Sequence, residues 1–438
     1  MKVMKFGGTS VGSAERMKNV TKLISDGQRN FVVLSAMSGT TNSLIEISDY
    51  YAKGNKYGAN SIINTLRTKY LKTVDDLFAS EAKRKEIIEK LNGVFSELMS
   101  FSAENFSAED AKVIVSKGEI MSTNMMALYL KEQGVKVTLL SALQFMRLNK
   151  DLQPDMAYIE THLNPLIEAH PDTQIFITQG FICTNADGLT DNLQRGGSDY
   201  TASLIGVAIH AEEIQIWTDI DGMHNNDPRF VKDTQPVPQL SFDEAAELAY
   251  FGAKILHPTC VQPAKYAGIP VRLLNTMDPD AEGTTISNKT EYGKIKAIAA
   301  KDNITAIKIK SSRMLLATGF LRKVFEIFES YQTSIDMICT SEVGVSMSID
   351  NSAHLGEIVD ELKKYGTVTV DTNMCIICVV GDLDWSNIGF ETLALDAMKD
   401  IPVRMVSYGG SNYNISFLIR EEDKKRALQS LSDTIFNK

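Results

Sequence analysis

The sequence is poor in cysteine, and none of its apolar runs is long. Five cysteines are spread over 438 residues, and such an odd, sparse set is typical of reduced thiols in a cytoplasmic protein. No apolar run approaches the roughly 20 residues that a membrane span needs. The first residues also lack the continuous apolar stretch of a secretory signal. We therefore expect a cytoplasmic protein with no membrane partner.

Basic residues are also fewer than acidic residues. The 45 basic residues against 55 acidic ones give a net charge of -10, whereas proteins that bind nucleic acid broadly carry a basic surface. The six histidines have no metal-ligand spacing with cysteine or with one another. The lone C-x-x-C, Cys375 and Cys378, lies in an apolar run at 375–380 and indicates buried thiols. We expect no nucleic-acid partner and no metal site built from protein ligands alone.

The chain is long enough for about three domains. Up to about residue 290, short β-rich runs alternate with helical patterns, which predicts an α/β fold with a mostly parallel sheet between helices. The predicted helices include 13–26, 109–133 and 242–253, and residues 53–106 are predicted to form a helical insertion. The predicted strands are 3–6, 31–34, 137–140, 175–181, 214–218 and 271–274.

The pattern changes after a linker at 280–294 that is rich in Gly, Thr, Asn and charge. Beyond it the order strand, helix, strand, strand, helix, strand occurs once and then recurs without its last strand. The run 295–300 is a spare strand, and we expect it to complete the second copy. The predicted domains are therefore 1–294, an inserted module at 303–373, and a second α+β module made of 295–302 and 374–438.

Two segments combine glycines with charge where a strand gives way to a helix. KFGGTSVGS at 5–13 places Lys5 before Gly7 and Gly8, whose backbone amides can approach an anion. This segment lacks both the dinucleotide-binding pattern and the P-loop lysine. RGGSDYT at 195–201 adds Arg195, suited to a carboxylate, although a helix cap alone would explain its serine and aspartate.

Two further segments have the residues of a ligand site. WTDIDG at 217–222, followed by NNDPR at 225–229, is a strand that ends in polar residues and a glycine turn, a common ligand edge in α/β folds. FGAKILHP at 251–258 places Lys254 near a helix end, where a solvated terminal charge is the ordinary interpretation. Each segment alone is compatible with a simple turn, but the four together favour a site.

Taken together, these segments resemble the aspartate kinases of the amino-acid kinase family. The resemblance runs over nearly the whole chain and implies ATP-dependent phosphorylation of the β-carboxylate of L-aspartate, the first step towards lysine, threonine and methionine. The matching segments are KFGGTSV at 5–11, SA at 35–36, TN at 41–42, SKGE at 116–119, RGGSD at 195–199, TD at 218–219, DPR at 227–229 and GAK at 252–254.

The resemblance also implies roles for single residues. A carboxylate is already ionised at neutral pH and needs no general base, so catalysis depends on cations and Mg²⁺ around the phosphoryl group. One departure is His224, which stands where relatives often have tyrosine. The implied catalytic residues are Lys5, Gly8, Asp199 and Lys254. The implied aspartate-binding residues are Ser35, Ala36, Thr41, Glu119, Arg195 and Ser198. The implied ATP-binding residues are Lys5, Gly7, Gly8, Thr218, Asp219, His224, Arg229 and Lys254.

The repeated C-terminal modules resemble paired ACT domains of βαββαβ order, which bind amino-acid effectors. Segments at 319–321, 334–336 and 340–343 match lysine-inhibited, monofunctional members, although Ala317 stands where some of those members carry serine. ACT modules usually pair between subunits, which implies a homodimer or tetramer. The implied effector-binding residues are Met314, Phe320, Leu321, Ser334, Ile335, Asp336, Thr340, Ser341 and Glu342.

Two alternatives remain open. One is a kinase of the same family that acts on another carboxylate, such as glutamate or N-acetylglutamate. The other is a non-catalytic amino-acid sensor built on a kinase fold. The paired ACT region and the SKGE segment favour aspartate over the first alternative. Lys5, Asp199 and Lys254 favour catalysis over the second.

Overall fold

The structure is a computed structural model that describes residues 1–102, 104–193, 196–252, 257–314 and 318–436. Its strands are β1 Lys2–Phe6, β2 Asn30–Leu34, β3 Val137–Leu139, β4 Ile175–Gln179, β5 Ile182–Thr184, β6 Thr190–Asn192, β7 Ile214–Thr218, β8 Gln239–Ser241, β9 Val271–Asn275, β10 Thr284–Ser287, β11 Ile295–Lys310, β12 Met337–Ser341, β13 Gly344–Ile349, β14 Thr367–Gly381, β15 Val403–Ser407 and β16 Asn414–Arg420. Its helices are α1 Ala14–Ile24, α2 Thr40–Ala52, α3 Lys56–Leu77, α4 Glu81–Ser100, α5 Ala108–Glu132, α6 Met156–Glu168, α7 Gly197–Ala208, α8 Phe242–Tyr250, α9 Pro258–Ala267, α10 Phe320–Ser330, α11 Leu355–Lys363, α12 Phe390–Ala397 and α13 Lys424–Ile435.

The described residues fall into two compact units. The first contains 1–223 and 257–288, and the second contains 224–252 and 289–436. Compactness therefore groups 224–252 with the C-terminal part of the chain, whereas the predicted first domain runs unbroken to residue 294. None of the described helices combines the length and the apolar character that a membrane crossing requires.

The first unit is built on the predicted parallel sheet. Its strands lie in the order β3-β4-β2-β1-β7-β9-β10, and all neighbours are parallel except β9 and β10. All five residues of β2 and of β4 are buried, as expected for strands covered on both faces. Because the strands are parallel, the chain leaves β1, β2, β4 and β7 at the same edge of the sheet.

The predicted helical insertion is present as α3 and α4, which pack with α2 and α5 around one apolar core. Tyr70 and Phe95 meet edge to edge at a centroid distance of 6.1 Å. The buried Tyr51 hydroxyl donates to the Leu98 carbonyl at 2.8 Å. Since buried polar groups need partners, this bond fixes α2 against the end of α4. The insertion therefore supports α2, which follows β2, and α5, which precedes β3.

The second unit repeats the predicted βαββαβ order within one antiparallel sheet, β12-β13-β11-β14-β16-β15. Residues 295–301 of β11 pair with 376–381 of β14, and residues 306–310 pair with 367–371. The predicted pairs of short strands are thus two continuous strands, each irregular at its midpoint. Asn303 and Asn373 have φ values of 60° and 56° at that irregularity, a conformation that asparagine adopts more readily than most residues.

Candidate active site

Lys5 and Asp199 form an ion pair at the strand edge of the first unit. Lys5 lies on β1 and Asp199 lies in the first turn of α7, yet Lys5 Nζ is 2.7 Å from Asp199 Oδ1. The two side chains are 12% and 14% exposed, so each remains accessible on one side. Gly196, the N-cap of α7, has a φ of 76°, a conformation that glycine adopts without a steric penalty. The ion pair therefore fixes the position of the Lys5 ammonium group at the strand edge.

The glycine turn after β1 passes very close to the chain after β2. The Gly7 N–H donates to the Trp217 carbonyl at 3.2 Å, and the Ser38 N–H donates to the Gly8 carbonyl at 3.1 Å. A Cβ atom on Gly8 would lie 2.8 Å from the Ala36 carbonyl oxygen, closer than a real contact allows. The Gly7 amide is therefore occupied, whereas the Gly8 amide donates to no acceptor among the described residues.

Glu119 brings a buried carboxylate to the same place. It lies on α5 and is 4% exposed. Its Oε1 accepts the Ala36 N–H at 3.2 Å, and its Oε2 has no hydrogen-bond partner among the described residues. Burial raises the pKa of Glu119 to about 7. A buried oxygen without a partner calls for an explanation, and a bound ammonium group would supply one.

Glu119 is held rigidly because α5 is fastened to the chain after β2. The Ser122 hydroxyl donates to the Ser35 carbonyl at 2.8 Å. Gly118 allows this approach, since a Cβ there would lie 2.8 Å from the Ala36 Cβ. Gln179 at the end of β4 donates to the Thr123 hydroxyl at 2.9 Å. The carboxylate is thus placed by three separate segments, none of which is adjacent to another in sequence.

One cavity of about 450 Å³ is lined by Lys5, Gly8, Glu119 and Asp199, and its size suits a small molecule. It brings together eight residues whose roles the family resemblance implies: Lys5, Gly8, Ser35, Ala36, Thr41, Glu119, Ser198 and Asp199. The remaining lining residues are Thr9, Met37, Ser38, Gly39, Asn42, Phe181, Gly196 and Gly197. Among these, Phe181 has a φ of 71°, which is rare for a bulky residue and has no signal in the sequence.

Thr218 and Asp219 lie at the end of β7, directly beside β1. The Thr218 hydroxyl donates to Asp219 at 3.1 Å, and the Thr218 carbonyl accepts the Thr276 N–H at 2.7 Å. The two residues share the strand edge with Lys5 but do not line the cavity.

The other implied nucleotide residues belong to the second unit or are not described. The His224 ring nitrogen Nδ1 is 3.0 Å from the Thr234 hydroxyl. Arg229 is 78% exposed and forms a fork with Asp227, with Nη2 at 2.6 Å from Oδ2. The three implied positions Arg195, Lys254 and Ala317 lie outside the described residues.

The implied effector residues lie in the first half of the second unit's sheet. Phe320 and Leu321 open α10 after Gly319, whose φ is 83°. Ser334 and Ile335 precede β12, and Asp336 is nearly fully buried. Met314 ends a short turn at Ser312–Met314, while Thr340, Ser341 and Glu342 are exposed where β12 gives way to β13.

Asp336, an effector-binding residue that the family resemblance implies, already has partners within the chain. Its Oδ1 lies 2.8 Å from Lys301 Nζ and accepts the Tyr250 hydroxyl at 2.7 Å. The carboxylate is therefore already neutralised within the chain. Its partners come from β11 and α8, which no local pattern in the sequence connects with Asp336.

Comparison with known proteins identifies the family of the chain. A family model described as the amino acid kinase family matches residues 1–275, and an ACT domain model matches 377–435. The chain is 33% identical to the lysine-sensitive aspartokinase 3 of Escherichia coli over 99% of both chains. It resembles the crystal structure of E. coli aspartokinase III with aspartate and ADP (TM-score 0.82, 31% identity, 100% of both chains). The crystal structure of that enzyme with lysine and aspartate gives a TM-score of 0.81 at 32% identity and covers 100% of this chain and 99% of the other.

Proposed function

The chain belongs to the amino acid kinase family, and from that premise we propose that it is an aspartokinase. It transfers the terminal phosphoryl group of ATP to the β-carboxylate of L-aspartate and gives 4-phospho-L-aspartate. The observation that carries this proposal is the cavity in which the ammonium of Lys5 and the unpaired carboxylate oxygen of Glu119 both stand. One cavity thus offers a cation to phosphate and an anion to an amino group.

The chemistry requires little from the protein beyond position and charge. The attacking carboxylate is ionised at neutral pH, so no side chain has to remove a proton. The barrier is the approach of one anion to another, and fixed cations and amides lower it. Lys5, oriented by Asp199, and the Gly8 amide face the approaching phosphoryl group. Lys254 supplies the second cation in this proposal.

Aspartate recognition follows from the remaining lining residues. Glu119 binds the substrate ammonium through its unpaired oxygen. Arg195 binds the α-carboxylate in a bidentate manner, as guanidinium groups do. Ser35, Ala36, Thr41 and Ser198 complete the walls of the cavity. The β-carboxylate is then directed towards Lys5. Because Glu119 needs an ammonium partner, the site excludes substrates without a free ammonium group.

ATP lies at the carboxyl edge of the sheet, the usual ligand edge of such folds. We assign Thr218, Asp219, His224, Arg229 and Lys254 to the nucleotide. Mg²⁺ that arrives with ATP neutralises phosphate oxygens and needs only one or two carboxylates from the protein. Asp219 is exposed at the end of β7 and is available for such a role.

The C-terminal modules form the regulatory part in this proposal. We place the catalytic domain at 1–294, the inserted ACT domain at 303–373, and the second ACT domain at 295–302 with 374–438. The antiparallel pairing of 295–301 with 376–381 supports the inserted arrangement. L-Lysine is the proposed effector, because the similar E. coli enzyme is lysine-sensitive, and a homodimer or tetramer is the proposed assembly. The expected cytoplasmic location stays a prediction.

A hydroxylamine-trapping assay tests the proposal directly. Hydroxylamine traps acyl phosphates as hydroxamates, so the purified chain is incubated with ATP, Mg²⁺ and one amino acid at a time. We expect hydroxamate from L-aspartate that depends on ATP, and little from L-glutamate or N-acetyl-L-glutamate. A strong preference for either glutamate compound would assign a different substrate. The absence of hydroxamate with all three, together with lysine binding, would identify a non-catalytic sensor.

A further inference from the structure

The second unit contains a site in which several groups surround the ammonium of one lysine. Lys301 lies on β11 beside the irregularity at its midpoint, and its Nζ is 2.8 Å from Asp336 Oδ1 and 2.9 Å from Asp350 Oδ2. The same ammonium lies 4.3 Å from the centre of the Tyr250 ring. The Tyr250 hydroxyl closes the cluster with its bond to Asp336. We call Tyr250, Lys301, Asp336 and Asp350 the ammonium cage.

The buried carboxylate of Asp336 needs a positively charged partner, and in the cage Lys301 supplies it. The Asp336 side chain is 1% exposed, and removing the partner of a buried charge is strongly unfavourable. Burial lowers the pKa of Lys301, but its hydrogen bonds to Asp336 and Asp350 outweigh this effect and raise the pKa overall. The cage thus binds the Lys301 ammonium through several contacts, while Oδ2 of Asp336 has no hydrogen-bond partner among the described residues.

The cage also connects two parts of the second unit that have different roles. Asp336 is one of the effector-binding residues that the family resemblance implies. Tyr250 is the last residue of α8, and Lys254, the proposed second catalytic cation, follows four residues later in the sequence. Through its hydrogen bond with Tyr250, Asp336 therefore contacts the helix that precedes Lys254 in the sequence.

We propose that Lys301 is an internal competitor of the effector. The effector's terminal ammonium takes the place of the Lys301 ammonium beside Asp336, and the exchange releases the tie between Asp336 and Tyr250. This inference rests on the proposed regulatory function and names the regulatory step within it. The ligand class is a diamino acid, because an effector without a second ammonium would leave the Asp336 carboxylate unpaired once Lys301 is displaced.

The competition has a measurable consequence. When a site is occupied by an internal group, only the fraction of molecules with an open site binds ligand, and the apparent dissociation constant rises by the reciprocal of that fraction. Replacing Lys301 by a neutral side chain removes the competitor. Lysine should then bind and inhibit at lower concentration, while activity without lysine is unchanged, since Lys301 has no place in the catalytic cavity.

The test compares Lys301→Met with the wild-type chain. L-Lysine binding is measured by calorimetry, and inhibition of hydroxamate formation is measured at saturating L-aspartate. We expect Lys301→Met to lower the lysine concentration for half-inhibition by about tenfold, a typical size for coupling between sites. If Lys301→Met is unstable, Asp350→Asn is the second variant. Asp350 is 42% exposed, so its loss should not affect folding, and the expected shift has the same direction but is smaller.

A matched control is Lys424, the first residue of α13, which forms an ion pair with Asp302 of β11. Lys424 lies 2.6 Å from Asp302 and 4.0 Å from the centre of the Phe230 ring, so it repeats the chemistry of Lys301 away from the effector residues. Lys424→Met should leave lysine binding and inhibition unchanged. The inference is overturned if Lys301→Met binds lysine no more tightly than the wild type, or if Lys424→Met gives the same gain.

The two proposals fail in different ways. If the wild-type chain makes no hydroxamate from aspartate, the catalytic proposal is wrong, and calorimetry with Lys301→Met still tests the cage. If the wild type makes hydroxamate but binds no lysine, the inference requires Lys301→Met to gain binding. A variant that also binds no lysine would then overturn the inference and leave the kinase assignment intact.

Discussion

Glu119 shows how much of the proposed chemistry depends on a single side chain. Its buried carboxylate keeps one oxygen unpaired, and burial raises its pKa to about 7. A group in this position costs stability when it is ionised without a partner. Such a cost is expected at a binding site, because the ligand supplies the missing partner. The sequence alone favours an ordinary solvated helix residue here, since burial is decided by α5 packing against distant segments.

The first prediction concerns the pH dependence of aspartate binding. Only the ionised form of Glu119 attracts the substrate ammonium, so KM for L-aspartate should rise as the pH falls through 7. Well below that pH the rise should approach about tenfold for each pH unit. Glu119→Gln should raise KM at pH 8 and remove this pH dependence. Steady-state kinetics from pH 5.5 to 8.5 measure both effects, and an equal slope in the two proteins would contradict the assignment.

The same carboxylate predicts an effect on stability. A carboxyl group whose pKa is raised on folding favours the folded state at low pH and disfavours it once the pH exceeds the folded-state pKa. Glu119→Gln should therefore raise Tm of the ligand-free chain at pH 8, and the difference should shrink as the pH falls below 7. Thermal unfolding at several pH values checks this sign. A lower Tm of the variant at pH 8 would contradict it.

Single residues also show where sequence reasoning stops. The family resemblance implied that Lys5 and Asp199 act together, and in the structure Lys5 Nζ is 2.7 Å from Asp199 Oδ1. It also implied that Asp336 binds the effector, and in the structure that carboxylate is already bound by Lys301 and Tyr250. Motifs identify groups that share a chemical task, but they do not identify partners that come from elements without a motif. Only the fold brings Lys301 to Asp336.

At the scale of elements, the hydrophobic patterns predicted most strands and helices but few of their ends. The strand predicted at 175–181 ends at Gln179, and the helix predicted at 242–253 ends at Tyr250. The strands β11 and β14 were each predicted as two shorter strands, because polar residues at their midpoints resemble turns. In the structure, pairing between the two strands continues through those midpoints with register shifts. Tertiary pairing thus overrides the local signal.

The glycine turn after β1 gives a prediction at this scale. Gly8→Ala would place a Cβ against the Ala36 carbonyl, so the turn and the chain after β2 must separate. Small displacements of reacting groups cost about 100-fold in rate, and we expect a loss of that order in kcat. The cost in stability should be roughly 1–3 kcal/mol, as for other overpacked sites. Hydroxamate assays and urea unfolding measure the two effects.

Gly93→Ala is the matched control for this prediction. Gly93 lies within α4, and nothing lies within 4 Å of the position of an added Cβ. Alanine is favoured over glycine inside a helix by about 1 kcal/mol, so this variant should be slightly more stable and fully active. A Gly8→Ala protein with wild-type kcat would show that the close approach has no catalytic role.

At the scale of the whole molecule, the family resemblance of the sequence is confirmed by the comparisons, and the α/β and ACT-like architecture is present. What the sequence could not give is the grouping of 224–252 with the C-terminal unit. This segment lies in the sequence between β7 and β9, two parallel neighbours in the sheet of the first unit, and only its packing shows its membership. The segment leads directly to Lys254, so the regulatory unit and the second proposed cation are continuous in the chain.

The central claim is that two lysines, 249 positions apart in the sequence, act on one phosphoryl group. The most direct test is the single-turnover rate of acyl phosphate formation by Lys5→Met and by Lys254→Met. Loss of one group that stabilises developing charge typically slows a reaction by roughly 10² to 10³-fold. We predict a loss of that size for each variant, with Tm close to that of the wild type. A folded variant of either kind that transfers phosphate at close to the wild-type rate would contradict the account.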